Sequence, residues 1–457
     1  MKFLFFFLLF TGSTALMGQV TDSKRLAKDL DSLIFNRLPG VAPGCVVLVA
    51  EKGQIVYEKA FGLANLEQHV AMQSDMVFRI GSITKQYTSI AILQLVEQGK
   101  IVLSDVIQKY IPDYPSKGDR ITIENLLTHT SGIPDYEVLD VHIPNAIRID
   151  LPAKQIIDSL GKLSLEFTPG SRYHYSNSNY FLLGYIIEQV TGKSYKDYLL
   201  ENLFKPAGLS HTHYDSPTDM IPNRVNGYSK YQGSYTNAGY ISMTQVFGAG
   251  ALLSTVEDMF KWHQQLYAYT LVKKETFQRA LTPFTLASGQ ISEYGYGWFI
   301  KSRNGYKSIE HSGGIDGFQS EEIYFPQQDI FVTALYNSLN EGGSDGSFMG
   351  LDNDIATLAI GKSPNTEISV DANLLQQFVG VYESDPKHPA IITLEGGQLQ
   401  MEAKAGGLPK SPLFAKSENL FFLKIFDAEI EFVRDKGKVT QLIVHFNGQN
   451  QVARKVK

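Results

Sequence analysis

Apolar and polar residues change rhythm several times along the chain, and each change marks a different kind of element. Residues 19–40 carry a helical stripe that ends near Pro39-Gly40. Val46–Ala50 and Gln54–Phe61 are apolar runs on either side of the Lys52-Gly53 turn and predict two strands. From about 76 to 290 the pattern is one of helices and long loops. Ile83–Gln98 is apolar nearly all round, which predicts a buried helix stopped by Gly99. Asn179–Val190, followed by Gly192, predicts a second helix. Strand patterns return at Gly297–Ser302, Tyr306–Glu310, Glu322–Phe325 and Ile330–Tyr336, with Asn304-Gly305 marking a hairpin. Strands from both ends thus bracket a helical insertion. The economical architecture is α/β in the α+β sense: one antiparallel sheet flanked by helices, with a helical subdomain beside it.

The polar stretch Gly361–Val370 reads as a linker. Beyond it the apolar period becomes two. Ile391–Leu394 and Leu399–Met401 flank Gly396-Gly397, while Ile430–Val433 and Val439–Phe446 flank Lys436-Gly437. Short strands at this spacing predict a small antiparallel β-barrel or sandwich. At the other end, Lys2 precedes the apolar run Phe3–Phe10 and the small residues Thr11–Ala15. That is the layout of a secretory signal, too short for a spanning anchor, with cleavage after Ala15 or Gly18. The expected division is 1–18 signal, 19–362 catalytic-type domain and 372–457 barrel. An exported location, periplasmic or secreted, follows, with no stable membrane span once the signal is removed.

Composition removes several classes of function. The chain has 457 residues, 43% hydrophobic and 19% charged, so it is neither disordered nor fibrous. Lys+Arg 41 against Asp+Glu 47 leaves −6, without the basic excess of a nucleic-acid binder. The lone Cys45 forms no internal disulfide, and no Cys/His spacing suggests a zinc site. His211-Thr212-His213 lacks a third ligand and reads as a loop. Gly248-Ala249-Gly250 lacks the strand–turn–helix setting of a dinucleotide fingerprint. No cofactor or metal is expected, and no oligomeric state is read from the sequence.

The candidate chemistry begins with Ser-x-x-Lys, which puts a hydroxyl and an amine one helical turn apart on one face. Near a helix start the Ser has backbone N–H donors beside it, and a desolvated amine can take its proton. The spacing occurs at Ser82/Lys85, Ser159/Lys162 and Ser384/Lys387, but only Ser82 opens a long apolar helix. A Tyr-x-Asn pair can supply a proton relay and a substrate-orienting amide. It occurs at Tyr175-Ser176-Asn177, just before a helix, and at Tyr235-Thr236-Asn237, in a Gly/Tyr-rich stretch that reads as surface loop. Finally, His311-Ser312-Gly313-Gly314 ends a predicted strand, where glycines let a substrate approach the strand edge. A backbone N–H just past His311 could pair with that of Ser82 to hold an oxyanion.

In this order and on these elements, the three segments resemble the serine beta-lactamase/penicillin-binding protein superfamily, in its class C-like branch. Leu126-Leu127-Thr128-His129-Thr130-Ser131-Gly132-Ile133-Pro134 adds to the resemblance, with His129 read as a loop brace. So do Pro169–Asn177, Leu252–Asp258, Tyr294-Gly295-Tyr296-Gly297-Trp298 and His311–Phe318. The likeness spans roughly residues 25–360. It implies that Ser82 is the nucleophile, that Lys85 and Tyr175 activate it and shuttle protons, and that Asn177 orients the substrate. His311, Gly313 and Gly314 would face the substrate, with the Gly314 N–H completing the oxyanion hole. His311 stands where the lactamases of this superfamily carry a carboxylate-binding lysine. From about 372, Phe378-Val379-Gly380-Val381-Tyr382 resembles the lipocalin-like domain appended to some of these peptidases.

The resemblance implies an exported serine hydrolase forming a Ser82 acyl-enzyme with a small peptide, amide or ester, as D-peptidases and esterases do. Two alternatives are a true beta-lactamase and a non-catalytic penicillin-binding sensor. His311 argues against the first, and the intact Ser82, Lys85 and Tyr175 against the second. At an unperturbed pKa of about 6.5, His311 would begin to bind substrate carboxylates as the pH falls towards about 6.

Overall fold

Strands from distant parts of the chain meet in one sheet because their apolar faces have no other place to be buried. The structure, a computed structural model, describes residues 23–456 except 39–40, 116–119, 142–144, 232, 340–349, 366, 385–388, 404–407, 425–427 and 447–448. The expected signal at 1–18, the Pro39-Gly40 helix stop and Lys387 lie outside the described residues. The sheet has the order Phe299–Arg303, Tyr306–Ile315, Phe318–Phe325, Ile330–Tyr336, Cys45–Glu51, Gln54–Phe61, and every adjacent pair is antiparallel. Cys45–Glu51 reads as an unbroken apolar run because both of its faces are covered. Val47 and Val49 pack under Leu26, Leu30 and Ile34 of the helix Ser23–Arg37 and under Leu351 and Ile355 of Leu351–Ala359. Val46 and Leu48 point the other way, into a larger core shared with the helical region.

Two strands run further than the apolar pattern predicts. The strand from Tyr306 runs on to Ile315, and its neighbour starts at Phe318 rather than Glu322, with Gly313 opposite Ser320 and Gly314 opposite Gln319. Polar and glycine residues continue the backbone ladder without an alternating hydrophobic signal.

The predicted buried helix is Thr84–Glu97, preceded by a tight turn at Gly81–Ile83. It has no polar face to solvent along most of its length, and even Lys85 is 0% exposed. Gly99, at φ +71, ends this stretch. The second predicted helix is Asn177–Thr191, closed by Gly192 in the left-handed conformation.

Beyond the polar linker, the helix Ala372–Phe378 and a nine-stranded antiparallel sheet among the described residues curl into a nearly closed barrel. Its own core contains Phe378, Tyr382, Ile392, Phe421, Ile430, Phe432 and Leu442. Phe378 stacks on Phe432 at 4.3 Å. The barrel meets the rest of the chain beside Gly350, whose hypothetical Cβ would lie 3.1 Å from the Lys424 carbonyl oxygen. Gly350 caps the helix Leu351–Ala359, on the sheet face opposite the Ser82 helix.

The approach of the Gly81 turn to the sheet edge decides where the cleft forms. Gly81 has φ +48, and a Cβ there would sit 3.1 Å from the Gly314 nitrogen. A Cβ on Gly313 would meet the Ile80 carbonyl oxygen at 2.1 Å and Ser320 Oγ at 2.4 Å, both in a packed interior. Gly314, by contrast, has only Leu339 Cδ1 within reach, at 3.9 Å. Gly313→Ala is therefore expected to destabilise the protein by about 1–3 kcal/mol through overpacking, whereas Gly314→Ala keeps wild-type stability. Thermal denaturation of the two variants checks this; equal losses would contradict the packing argument.

Candidate active site

Ser82 lies in the turn that leads into the helix, partly exposed, with Lys85 one turn further on and fully buried. Lys85 Nζ lies 2.9 Å from Ser82 Oγ, 2.8 Å from Asn177 Oδ1 and 2.9 Å from the Ala249 carbonyl oxygen. Burial pushes its pKa down from 10.5 to about 7, although Asp135 and Glu137 pull the other way. A neutral amine in this position keeps two N–H bonds for Asn177 and Ala249. Its lone pair is then left for the Ser82 hydroxyl proton.

The Ala249 carbonyl is available because a helix ends there. In Met243–Gly250 the chain breaks at Phe247 (φ 36, ψ −125), and the last carbonyls must find partners outside the helix. Gly248 O accepts from Thr88 Oγ1 at 2.7 Å, and Ala249 O from Lys85. Glycine at 184 and 248 lets this segment come close. A Cβ on Gly248 would lie 2.6 Å from the Tyr180 carbonyl oxygen.

Tyr175 lies in irregular chain, and Ser176 stands at the N-cap position of the helix that Asn177 starts, without a side-chain capping bond. The Asn177 N–H donates to Asp135 Oδ2 at 2.6 Å. The Tyr175 ring sits 4.8 Å from Lys85 Nζ, and the Ser82 hydroxyl beside its phenol offsets part of the effect of burial on the phenol pKa. Burial raises the phenol pKa well above 10, so Tyr175 stands as a neutral O–H rather than a phenolate. The other Tyr-x-Asn lies in a surface hairpin, where Asn237 Nδ2 bonds Glu67. Ser159 and Lys162 are on the helix Ala153–Lys162, with Lys162 exposed, and Ser384 is exposed on the barrel. Neither serine joins the cluster around Ser82.

His311 is placed differently from the sequence expectation. Its imidazole is 2% exposed, with Nδ1 donating to the Ser312 carbonyl at 2.6 Å and Nε2 3.0 Å from the Tyr294 hydroxyl. Because Nδ1 faces a carbonyl it carries the proton, and Nε2 accepts from Tyr294. Burial, reinforced by the Lys85 charge, holds the pKa down to about 3. The expected protonation near pH 6 therefore does not occur, and His311 has no free nitrogen for a substrate. Strand alternation explains the placement: His311 and Gly313 are buried, while Ser312 and Gly314 are exposed. Gly314 is the member of this segment that reaches the cleft.

The cleft, of about 210 Å³, brings together Ser82, Asn177, Gly314, Tyr136 and Glu137 with the apolar residues Ile147, Ile241, Val246, Ile315 and Leu339. Asp316 also lines it, paired with Arg148. Among the described residues, its lining includes two acids and no lysine, arginine or histidine. Sequence reasoning missed Asp135, Tyr294 and the Ala249 carbonyl. Asp135 follows the Leu126–Pro134 stretch directly, and Tyr294 opens a stretch already singled out. The carbonyl has only the Gly248-Ala249-Gly250 run as a signal.

Comparison with known proteins identifies the family and the fold. The Beta-lactamase family model matches residues 30–348, and a model described as a domain of unknown function (DUF3471) matches residues 364–455. Penicillin-binding protein 4* of Bacillus subtilis (strain 168) is 28% identical over 438 residues, which span 90% of this chain and 94% of that protein. A D-aminopeptidase of Brucella anthropi is 26% identical over 374 residues, 80% of this chain and 68% of that one. The solved structure of the octameric penicillin-binding protein homologue from Pyrococcus abyssi superposes with a TM-score of 0.66 at 24% identity, covering 95% of this chain and 100% of that one. At that identity the likeness shows the fold. With most of its length matched by the family model, the chain belongs to the Beta-lactamase family and is a serine hydrolase.

Proposed function

We propose that the protein is an exported hydrolase that opens peptide, amide or ester bonds through an acyl-enzyme on Ser82, preferring substrates without a carboxylate near the scissile bond. The observation that carries this reading is the buried Lys85 amine, with one acceptor from Asn177, one from Ala249 and the Ser82 hydroxyl as its third neighbour. Lys85 takes the Ser82 proton as Oγ attacks the acyl carbon. The Ser82 and Gly314 N–H groups hold the developing oxyanion. The proton passes by way of Tyr175 to the leaving nitrogen or oxygen, which departs as the carbon–heteroatom bond breaks. Water then attacks the acyl carbon and gives its proton to the same base; the bond to Ser82 Oγ breaks, Oγ takes that proton back, and the acid product leaves. Asn177 presents its Nδ2 to the substrate while its Oδ1 stays with Lys85.

The substrate preference is supported by the charge of the cleft wall, which pairs apolar side chains with Glu137 and Asp316. Among the described lining residues, free-acid beta-lactams would meet no lysine, arginine or histidine, and the nearby Arg148 is already paired with Asp316, which sets a beta-lactamase proper behind an amidase, aminopeptidase or esterase. The D-aminopeptidase relative supports the amide-directed reading. The leader-like residues 1–18 support export. The chain from 372 reads as an appended module, since none of its described residues is among those lining the cleft.

A fluorophosphonate is expected to add mass only to the peptide containing Ser82, and Ser82→Ala is expected to lose both labelling and turnover. An adduct on another serine would contradict the assignment. Lys85→Met and Tyr175→Phe should each lower kcat by roughly 10²–10⁴-fold. Combined, they should cost much less than the product, because the two groups act as a unit. Selectivity provides a separate check. The ratio of kcat/KM for a carboxylate-bearing amide to that for its neutral analogue should be low. It should also be flat between about pH 6 and about pH 8, because an imidazole with a pKa of about 3 stays neutral throughout. Rapid cephalosporin turnover, or a ratio that climbs as the pH falls, would contradict the preference.

A further inference from the structure

Tyr175 must hold its phenol at Ser82 from a stretch of chain that is neither helix nor strand. Three contacts from His129 bracket it. The His129 carbonyl accepts the His174 N–H at 2.9 Å, on one side of Tyr175. His129 Nδ1 accepts the Ser176 N–H at 3.2 Å, on the other side. The same nitrogen lies 3.2 Å from Asn179 Nδ2, and the imidazole packs on the Tyr175 ring with centroids 4.3 Å apart. Ser131 Oγ donates to Asn179 Oδ1 at 2.5 Å, which turns the Asn179 NH₂ towards His129.

Backbone geometry is what lets one residue do this. His129 has φ +55, a left-handed conformation uncommon outside glycine. Its N–H and carbonyl are thereby turned so that the carbonyl reaches His174 while the side chain reaches Ser176. Both donors converge on Nδ1, so the ring proton is on Nε2, a buried atom with no hydrogen-bond partner. Burial, with the Lys85 charge nearby, keeps the ring neutral and Nδ1 able to accept. A buried donor left unsatisfied in this way costs stability, and the site keeps His129 despite that cost.

We propose that His129 is a positioning residue for the reaction, bracketing Tyr175 on both sides so that its phenol is set for proton transfer at Ser82. The proposal rests on the reading of Tyr175 as the proton relay. It assigns His129 no contact with substrate. Displacing the phenol should therefore slow turnover and leave substrate binding alone.

Two substitutions separate the acceptor from the ring. His129→Asn keeps an acceptor, tolerates the left-handed backbone and loses the aromatic contact. His129→Phe keeps a ring and leaves the Ser176 and Asn179 donors without their acceptor. With a neutral amide substrate, His129→Phe should lower kcat by about 10²-fold at nearly unchanged KM, as expected for a small misplacement of a reacting group. His129→Asn should stay within about tenfold of wild type. In a Tyr175→Phe background, His129→Phe should cost almost nothing further. Thermal denaturation identifies a variant that has not folded. If His129→Phe is one, His129→Asn decides alone: kcat within about tenfold supports the proposal and a loss of about 10²-fold overturns it. A rise in KM at constant kcat, or a full extra loss on top of Tyr175→Phe, would also overturn it. Near-wild-type activity of Tyr175→Phe itself would overturn the relay reading and this proposal with it, an outcome distinct from an additive cycle.

Discussion

The cleft depends on taking one amine out of water. Lys85 is wholly buried in a helix whose other side chains are almost all core, and among the described residues no carboxylate touches its Nζ. An ammonium in such a place loses much of its hydration, and two neutral oxygens plus a hydroxyl replace it incompletely. The result is an amine whose pKa lies near neutrality, as the proposed role of general base requires. Asp135 and Glu137 lie close enough to oppose the shift without abolishing it.

Several otherwise costly features sit around this amine. The helix that offers Ala249 O breaks at a non-glycine residue with positive φ, and Gly184 and Gly248 let it approach the Asn177 helix. Gly81 and Gly313 bring the Ser82 turn onto the sheet edge. His129 adopts a left-handed backbone in the layer behind Tyr175. Strain concentrated around a reacting group is what a pre-organised site requires, because the surrounding core over-determines it. The two-layered burial of the sheet supplies that core, with helices on one face and the Ser82 region on the other.

Much of this could be read in advance where the information is local. Ser82 and Lys85 are three positions apart and open the one suitable helix, so context separated them from the two other Ser-x-x-Lys pairs. The turns at Lys52-Gly53 and Asn304-Gly305 and the helix stops at Gly99 and Gly192 are likewise local. Position in space was harder. Ser312 and Gly314 alternate with His311 and Gly313 along one strand, and only the fold decides which pair faces the cleft. That is why His311 could be singled out yet expected on the substrate rather than against Tyr294. Asp135 and the Ala249 carbonyl act on residues more than 40 positions away, and no spacing rule reaches so far. The strands through Gly313 and Ser320 were cut short because glycine and polar pairs carry no hydrophobic rhythm.

The most direct measurement is an NMR titration of the Lys85 side chain in protein labelled with ¹³Cε,¹⁵Nζ-lysine, its signal assigned by loss in Lys85→Met. The account predicts a midpoint at about 7, well separated from the exposed lysines. A Lys85 midpoint at the ordinary value of about 10.4 would contradict it, because the amine would then be protonated at neutral pH and unable to take the Ser82 proton.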